Sequence, residues 1–176
     1  MNRLMRVKPA GIMAFSFCFF FFLQGLLLAE KVNYVIDGDT VILADNQRVR
    51  LIGINAPETD HPRYGKKGQK YGNESKAYLK GMVEKKEVRL ESGDESFDRF
   101  GRRLAYLYLP DGTFVNRKMV ETGNAEVFRK FPFKFRKEFL ELEQAARANK
   151  LGMWGERPPS FWDWIAEYWA EFNRKK

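Results

Sequence analysis

The chain has 176 residues, of which 44% are hydrophobic and 15% aromatic. This length allows one sizeable core but argues against two ordinary domains, and a single cysteine, Cys18, argues against a disulfide framework. A formal net charge of +8 favours polyanionic partners such as nucleic acid, although a membrane surface would also fit.

The first 29 residues have the pattern of an export signal. Three basic residues precede an uncharged stretch at residues 9–29, and the small residue Ala29 stands where cleavage could fall. Removing this segment takes away three basic and no acidic residues, so the net charge would fall from +8 to +5. Left uncut, the stretch is long enough to span a bilayer. We expect an exported protein, secreted or periplasmic, with an N-terminal membrane anchor as the alternative.

Short runs of β-favouring residues follow the leader. Turn sequences at Asp37-Gly38-Asp39 and Asp45-Asn46 separate these runs, which predicts three strands joined by tight turns. The runs lie at residues 32–36, 41–43 and 49–54. A polar stretch from residue 58 to 72, rich in lysine and glycine, has no periodicity and is predicted to be a surface loop.

The elements after this loop indicate an α+β fold. Asn73 suits the cap of an amphipathic helix, and a polar loop at residues 92–101 separates two further predicted strands. Those strands lie at residues 88–90 and 104–109, and helices follow at about 116–122 and with an apolar face from 135 to 146. Five strands with this order of helices favour a five-stranded Greek-key barrel of the OB type with about three packed helices.

An additional helix is predicted after Pro158-Pro159. Ser160 and Asp163 can form a capping box, and the residues that follow are rich in tryptophan and phenylalanine. This C-terminal amphipathic aromatic helix either packs on the barrel or binds an interface or a partner. We therefore divide the chain into a leader at 1–29, a barrel domain at 30–156 and a C-terminal helix at 157–176.

Three segments combine carboxylates, arginines and turn residues in a way that could form a functional site. In the first, Asp37 and Asp39 flank a glycine, which concentrates hard oxygen donors where a divalent cation could bind. Asp-Gly-Asp is also common in hairpins, so this segment alone favours a structural turn.

The second segment runs from Arg50 to Glu58, and the third from Asp98 to Tyr106. The second is a strand that begins with a guanidinium and ends in Asn55, a proline and an exposed carboxylate. Taken singly, Arg50 could cover the barrel surface and Glu58 could be a solvated loop acid. The third places a basic loop before a strand, which by itself indicates only a basic hairpin edge.

Together, the three segments resemble the staphylococcal nuclease, or thermonuclease, family in their order, approximate spacing and flanking residues. The resemblance extends through Lys70-Tyr71-Gly72, Val115-Asn116 and residues 151–154, and covers about residues 31–156. It implies an OB barrel with calcium-dependent endonuclease and exonuclease activity on DNA, RNA or both, giving products that end in a 3'-phosphate.

The resemblance also implies a metal site. Carried over position by position, Asp39 and Asn55 would be side-chain ligands of Ca²⁺ and Ala56 a backbone-carbonyl ligand, with Asp37 acting through water. Asn55 stands where the best-known member of the family has an aspartate. Since an amide keeps the oxygen but loses the charge, we expect a lower affinity for Ca²⁺.

The remaining implied roles concern catalysis and the substrate. Glu58 would be the general base that activates a water, and Arg50 and Arg102 would clamp the phosphate, because a planar guanidinium holds two oxygens and stays charged. The expected substrate-binding residues are Arg99, Phe100, Arg129 and Phe131. Phe100, Arg129 and Phe131 stand where that member has tyrosines, so base stacking could continue through the rings, and Arg129 would add attraction for phosphate.

A non-catalytic OB module that only binds nucleic acid, free or held at a membrane, is the alternative function. Such a module has no need for Glu58 and two arginines together with Asp39, so the sequence favours the enzyme. We expect DNA, RNA or both as the partner, no protein partner and a monomeric chain. Contact with a membrane would require an uncleaved leader.

Overall fold

The computed structural model describes residues 29–60, 67–155 and 174. The leader lies outside these residues except for Ala29, which is the first residue of a strand. The C-terminal aromatic helix lies outside them except for Arg174. Export, anchoring and the packing of that helix therefore stay predictions. Within the described residues, no helix has the length and apolar composition needed to cross a lipid bilayer.

Five strands close into a barrel, which confirms the predicted α+β architecture. The strands are β1 (Ala29–Asp37), β2 (Thr40–Leu43), β3 (Arg48–Leu51), β5 (Glu87–Phe97) and β6 (Arg103–Tyr108). Their order around the barrel is β1-β2-β3-β6-β5, and β5 returns to β1. Only β3 and β6 run parallel. Alternating apolar residues such as Val49 and Leu51 fill the interior.

The predicted strand at residues 49–54 is in fact two strands. Gly53 has a φ of 80°, a left-handed conformation that turns the chain out of the barrel after β3. The next two residues form β4 (Ile54–Asn55), which pairs with β7 (Glu126–Val127) in a separate antiparallel ribbon. This ribbon determines what lies beside Asn55.

The prediction of a polar loop at residues 92–101 is wrong for its first six residues, which belong to strand β5. Strand β5 continues to Phe97 and pairs with β6, with Ser92 opposite Ala105 and Phe97 opposite Arg103. This part of β5 is mostly exposed, so it has no apolar alternation to reveal it. Backbone hydrogen bonds to β6 hold it in the sheet.

Three helices and a short 3-10 turn complete the described chain: α1 (Gly72–Val83), α2 (Val115–Glu121), α3 (Arg136–Ala148) and the 3-10 helix Gly152–Trp154. The three helices confirm the predicted number. The cap of α1 was predicted wrongly, because the helix follows Tyr71 in a left-handed conformation and begins before Asn73. In α3, Phe139 and Ala146 are buried as expected, but so is Glu143.

Replacing Gly53 with alanine should destabilise the protein by roughly 1–3 kcal/mol. An added Cβ would lie 2.5 Å from the ring of Phe133, and the positive φ strains any side chain. Urea denaturation measures the change. Gly81→Ala is the matched control, because that position in α1 opens onto free space and alanine favours helix by about 1 kcal/mol. Equal stabilities for the two variants would contradict this account of the turn.

Candidate active site

The carboxylate of Asp39 joins the first two segments that the sequence singles out. Its Oδ1 lies 3.0 Å from Nη1 of Arg50 and accepts a hydrogen bond from the Thr40 hydroxyl. Its Oδ2 accepts a 2.7 Å hydrogen bond from the backbone N–H of Ala56. Asp39 itself is only 6% exposed. The predicted metal ligands Asp39 and Ala56 and the predicted phosphate clamp Arg50 therefore lie together.

Strand register and a glycine bring these groups into contact. Thr40, next to Asp39, is the direct partner of Arg50 in the β2–β3 ladder, and the backbone N–H of Asp39 donates to Oδ1 of Asp37. Gly38 packs against α1 so closely that an added Cβ would lie 1.9 Å from Oγ of Ser75. The glycine is needed for this close packing.

The charge of Asp39 is only partly balanced. Burial raises the pKa of Asp39 to about 7; Arg50 opposes this shift, Asp37 adds to it, and the hydrogen bond from Ala56 opposes it weakly. A buried carboxylate with a raised pKa gains from any further positive charge placed beside it.

The donor set fits a hard divalent cation of the kind that prefers oxygen ligands. Within residues 29–60 and 67–155, no three His, Cys, Asp or Glu residues cluster closely enough to hold a metal ion. A cation bound at Asp37 and Asp39 would therefore also need the amide oxygen of Asn55 and the carbonyl of Ala56. Such a mixed set of carboxylate, amide and carbonyl oxygens is typical of Ca²⁺ sites.

Glu58 combines a fixed backbone with an exposed side chain. Its N–H donates to Oε1 of Gln69 at 2.9 Å, and its carbonyl accepts from the N–H of Gln69 at 2.8 Å. Gly72 also approaches so closely that an added Cβ would lie 2.1 Å from the carbonyl oxygen of Glu58. No described residue pairs with the Glu58 carboxylate, so this group is available to accept a proton from a bound water.

Arg102 is oriented by Asp98. Nε of Arg102 lies 2.7 Å from Oδ2 of Asp98, while Oδ1 of Asp98 accepts from the N–H groups of Phe100 and Arg102. Burial raises the pKa of Asp98, but the hydrogen bonds outweigh it and hold the pKa below its ordinary value. The carboxylate therefore stays charged, and the two terminal nitrogens of Arg102 remain for another anion.

Arg50 lies on β3, and Arg102 lies just before the start of the neighbouring strand β6. Arg102 directly precedes β6, two positions before Leu104, and Leu104 is the partner of Arg50 in the parallel β3–β6 ladder. The register therefore places Arg102 directly before Arg103, the ladder partner of Val49, at the end of β6 that adjoins Arg50.

The four predicted substrate-binding residues divide into two groups. Phe100 is 68% exposed, and the guanidiniums of Arg99 and Arg102 lie 4.7 Å and 5.5 Å from its ring centre. Phe131 is 67% exposed and lies in the segment after β7, where its ring contacts Phe128. Phe100 therefore adjoins a phosphate clamp, whereas Phe131 belongs to a different surface segment.

Arg129, the fourth of these residues, already has an anionic partner. Its guanidinium pairs with the buried Glu143 and donates to the carbonyl of Val127, and Glu143 also pairs with Arg147 at 3.1 Å. Because Glu143 is shared by two arginines, the cluster keeps one net positive charge, and the Arg129 guanidinium is held in this ion pair.

Two residues of the site had no signal in the sequence. Gln69, which holds the backbone of Glu58, lies in an aperiodic loop. Glu126, which accepts a hydrogen bond from Asn55 at 3.1 Å, lies in a strand of two residues. Neither position has a pattern that distinguishes it from an ordinary surface residue.

Comparisons with known proteins find similar sequences among nucleases. A family model described as staphylococcal nuclease homologue matches residues 48–156. The chain is 34% identical to the thermonuclease of Staphylococcus hyicus over 128 residues, which cover 70% of this chain and 74% of that protein. It is 36% identical to the thermonuclease of Staphylococcus intermedius over 127 residues, which again cover 70% of this chain and 74% of that protein. An uncharacterized endonuclease of Escherichia coli is 35% identical over 138 residues, which cover 75% of this chain and 82% of that protein.

The raised pKa of Asp39 predicts how pH changes stability without divalent cations. Between about pH 4 and pH 7 the folded state keeps a proton on this carboxyl that the unfolded chain has released, so stability falls as pH rises. This group contributes at most about 1.4 kcal/mol per pH unit. In Asp39→Asn, stability should decrease less steeply as pH rises. Melting temperatures recorded in chelator from pH 4 to pH 8 measure this difference.

Asp94→Asn is the matched control, because Asp94 is exposed on β5. It should keep the pH profile of the wild type. If Asp39→Asn and the wild type gave parallel profiles, the buried carboxyl would not carry the effect.

Proposed function

Because the chain belongs to the family of staphylococcal nuclease homologues, we propose that it is a calcium-dependent nuclease. It hydrolyses phosphodiester bonds in DNA, RNA or both, as an endonuclease and exonuclease, and leaves 3'-phosphate ends. The observation that carries this proposal is the contact of the Asp39 carboxylate with Arg50 and Ala56. That contact brings a cation-binding group, a phosphate-binding group and the segment that leads to Glu58 into one place.

Glu58 is the general base. Its exposed carboxylate takes a proton from a water, whose oxygen forms a bond to phosphorus. The bond from phosphorus to the 5' oxygen breaks, that oxygen is protonated by solvent, and the phosphate stays on the 3' end. The two hydrogen bonds with Gln69 restrict the motion of the base, because they hold both its backbone N–H and its carbonyl.

Arg50 and Arg102 hold the phosphate while negative charge develops on its oxygens. A guanidinium remains charged and offers parallel N–H groups to two oxygens, which strengthens its contact as the transition state forms. Asp98 fixes the orientation of Arg102. Asp39 shares Arg50 with the phosphate, so the same arginine connects the cation ligands to the substrate.

Ca²⁺ would be held by Asp39, Asn55 and Ala56, with Asp37 acting through water. When bound, it supplies positive charge beside the phosphate and balances the Asp39 carboxylate. Phe100, with Arg99 beside its ring, offers an exposed surface on which a base can stack, a contact that does not depend strongly on sequence. Phe131 gives a second exposed ring.

Glu58→Gln should lower kcat on single-stranded DNA by about a hundredfold to ten-thousandfold, the usual contribution of a general base. The amide keeps the size of the side chain but cannot take the proton. The release of acid-soluble nucleotides with Ca²⁺, and its loss in chelator, measure the activity. Glu74→Gln, an identical change at an exposed position of α1, should cut at the wild-type rate. Undiminished cutting by Glu58→Gln would rule out this base.

Arg102→Lys should lower kcat by roughly a hundredfold or more, because a lysine keeps the charge but lacks the planar pair of donors. Steady-state kinetics on a short oligonucleotide measure the loss. Arg103→Lys is the matched control, since Arg103 pairs with Glu30 at 2.8 Å on the barrel and a lysine can keep that ion pair. Equal kcat values for the two variants would show that charge alone is sufficient at Arg102.

A further inference from the structure

Glu126 lies directly beside Asn55 in the β4–β7 ribbon. The two residues are register partners on the paired strands, and Nδ2 of Asn55 donates a 3.1 Å hydrogen bond to Oε1 of Glu126. Both side chains are partly buried. The ribbon therefore brings a carboxylate to the one proposed cation ligand that is an amide.

No cationic side chain balances Glu126 within the described part of the chain. None of the ion pairs found there involves Glu126. By contrast, the buried Glu143 has two arginine partners. Among the described residues, therefore, no cation within ion-pair distance offsets the negative charge that Glu126 places next to Asn55.

The hydrogen bond also determines which way the Asn55 amide faces. A carboxylate can only accept hydrogen bonds, so the amide must present its nitrogen to Glu126. The carbonyl oxygen of the same amide, Oδ1, is then left free to act as an acceptor or as a ligand. A charged acceptor on the nitrogen also polarises the amide and makes this oxygen a better electron donor.

We propose that Glu126 is a positioning residue for the cation of the nuclease site. It orients the Asn55 amide so that Oδ1 is available, and it supplies from the paired strand the negative charge that Asn55 lacks. The inference rests on the proposed function, in which Asn55 is a ligand.

The charge matters because cation affinity depends on the number of negative ligands. Asp39 already pairs with Arg50 at 3.0 Å, which offsets part of the one negative charge on the direct side-chain ligands Asp39 and Asn55. Partners that hold a ligand in position typically change metal affinity by about tenfold to a hundredfold when they are removed. Glu126 is therefore expected to have an effect that calorimetry can detect.

The test is isothermal titration of Ca²⁺ into the purified full chain without nucleic acid. Glu126→Gln should weaken binding by about tenfold, because it keeps an acceptor but loses the charge, and Glu126→Ala should weaken it further, towards a hundredfold. Glu141→Gln, the same change at an exposed position of α3, should bind as the wild type does. Melting temperatures in chelator check that each variant is folded.

A double variant tests the placement of the charge. Asn55→Asp combined with Glu126→Gln moves the carboxylate from β7 to β4 and should recover most of the affinity lost in Glu126→Gln. Failure of this rescue, in a variant that melts normally, would overturn the proposal.

The remaining outcomes separate the inference from the function on which it rests. Wild-type affinity in Glu126→Gln, with Ca²⁺-dependent cutting intact, would overturn the inference and leave the proposed function standing. Equal losses in Glu126→Gln and Glu141→Gln would also overturn it, because net charge would then explain both. A wild-type chain that neither binds Ca²⁺ nor loses activity in chelator would overturn the proposed function and the inference together.

Discussion

The buried carboxylate of Asp39 is the interaction on which the site depends. It joins the turn after β1 to Arg50 on β3 and to the backbone of Ala56 beyond β4. A charged group costs free energy when it leaves water, and these partners offset only part of that cost, because the pKa of Asp39 is still raised to about 7. The same contact therefore organises three segments of the chain and leaves the site with a need for positive charge.

Around this contact, the structure holds part of each reactive residue and leaves the reactive atoms unpaired among the described residues. Gln69 binds the backbone N–H and carbonyl of Glu58, while the Glu58 carboxylate stays exposed. Asp98 binds Nε of Arg102, while the two terminal nitrogens of that guanidinium stay available. Groups held in this way lose little further freedom when a substrate binds. The close approach of Gly72 to the carbonyl of Glu58 serves the same purpose.

Ion pairs in this protein have different roles that depend on what surrounds them. Arg129 and Arg147 enclose the buried Glu143, and removing one partner from such a cluster would leave a costly buried charge. That cluster holds α3 against the segment after β7. Glu126, on β7 itself, has an amide partner instead of a cation, which keeps its negative charge available to the site.

The sequence by itself determined the number of barrel strands and helices, because alternation, helical periodicity and turn residues are local properties. The choice of Asp39, Arg50, Glu58 and Arg102 as site residues came instead from the resemblance of three segments to the staphylococcal nuclease family. Only the tertiary structure decided the β4–β7 ribbon, the extension of β5 and the start of α1. It also decided the partners of the site residues, including Gln69 and Glu126. Those features depend on hydrogen bonds between distant segments, such as the one between Asn55 and Glu126, which are 71 residues apart. No local pattern encodes such a pairing, since it exists only once the barrel has closed and Gly53 has turned the chain out of it.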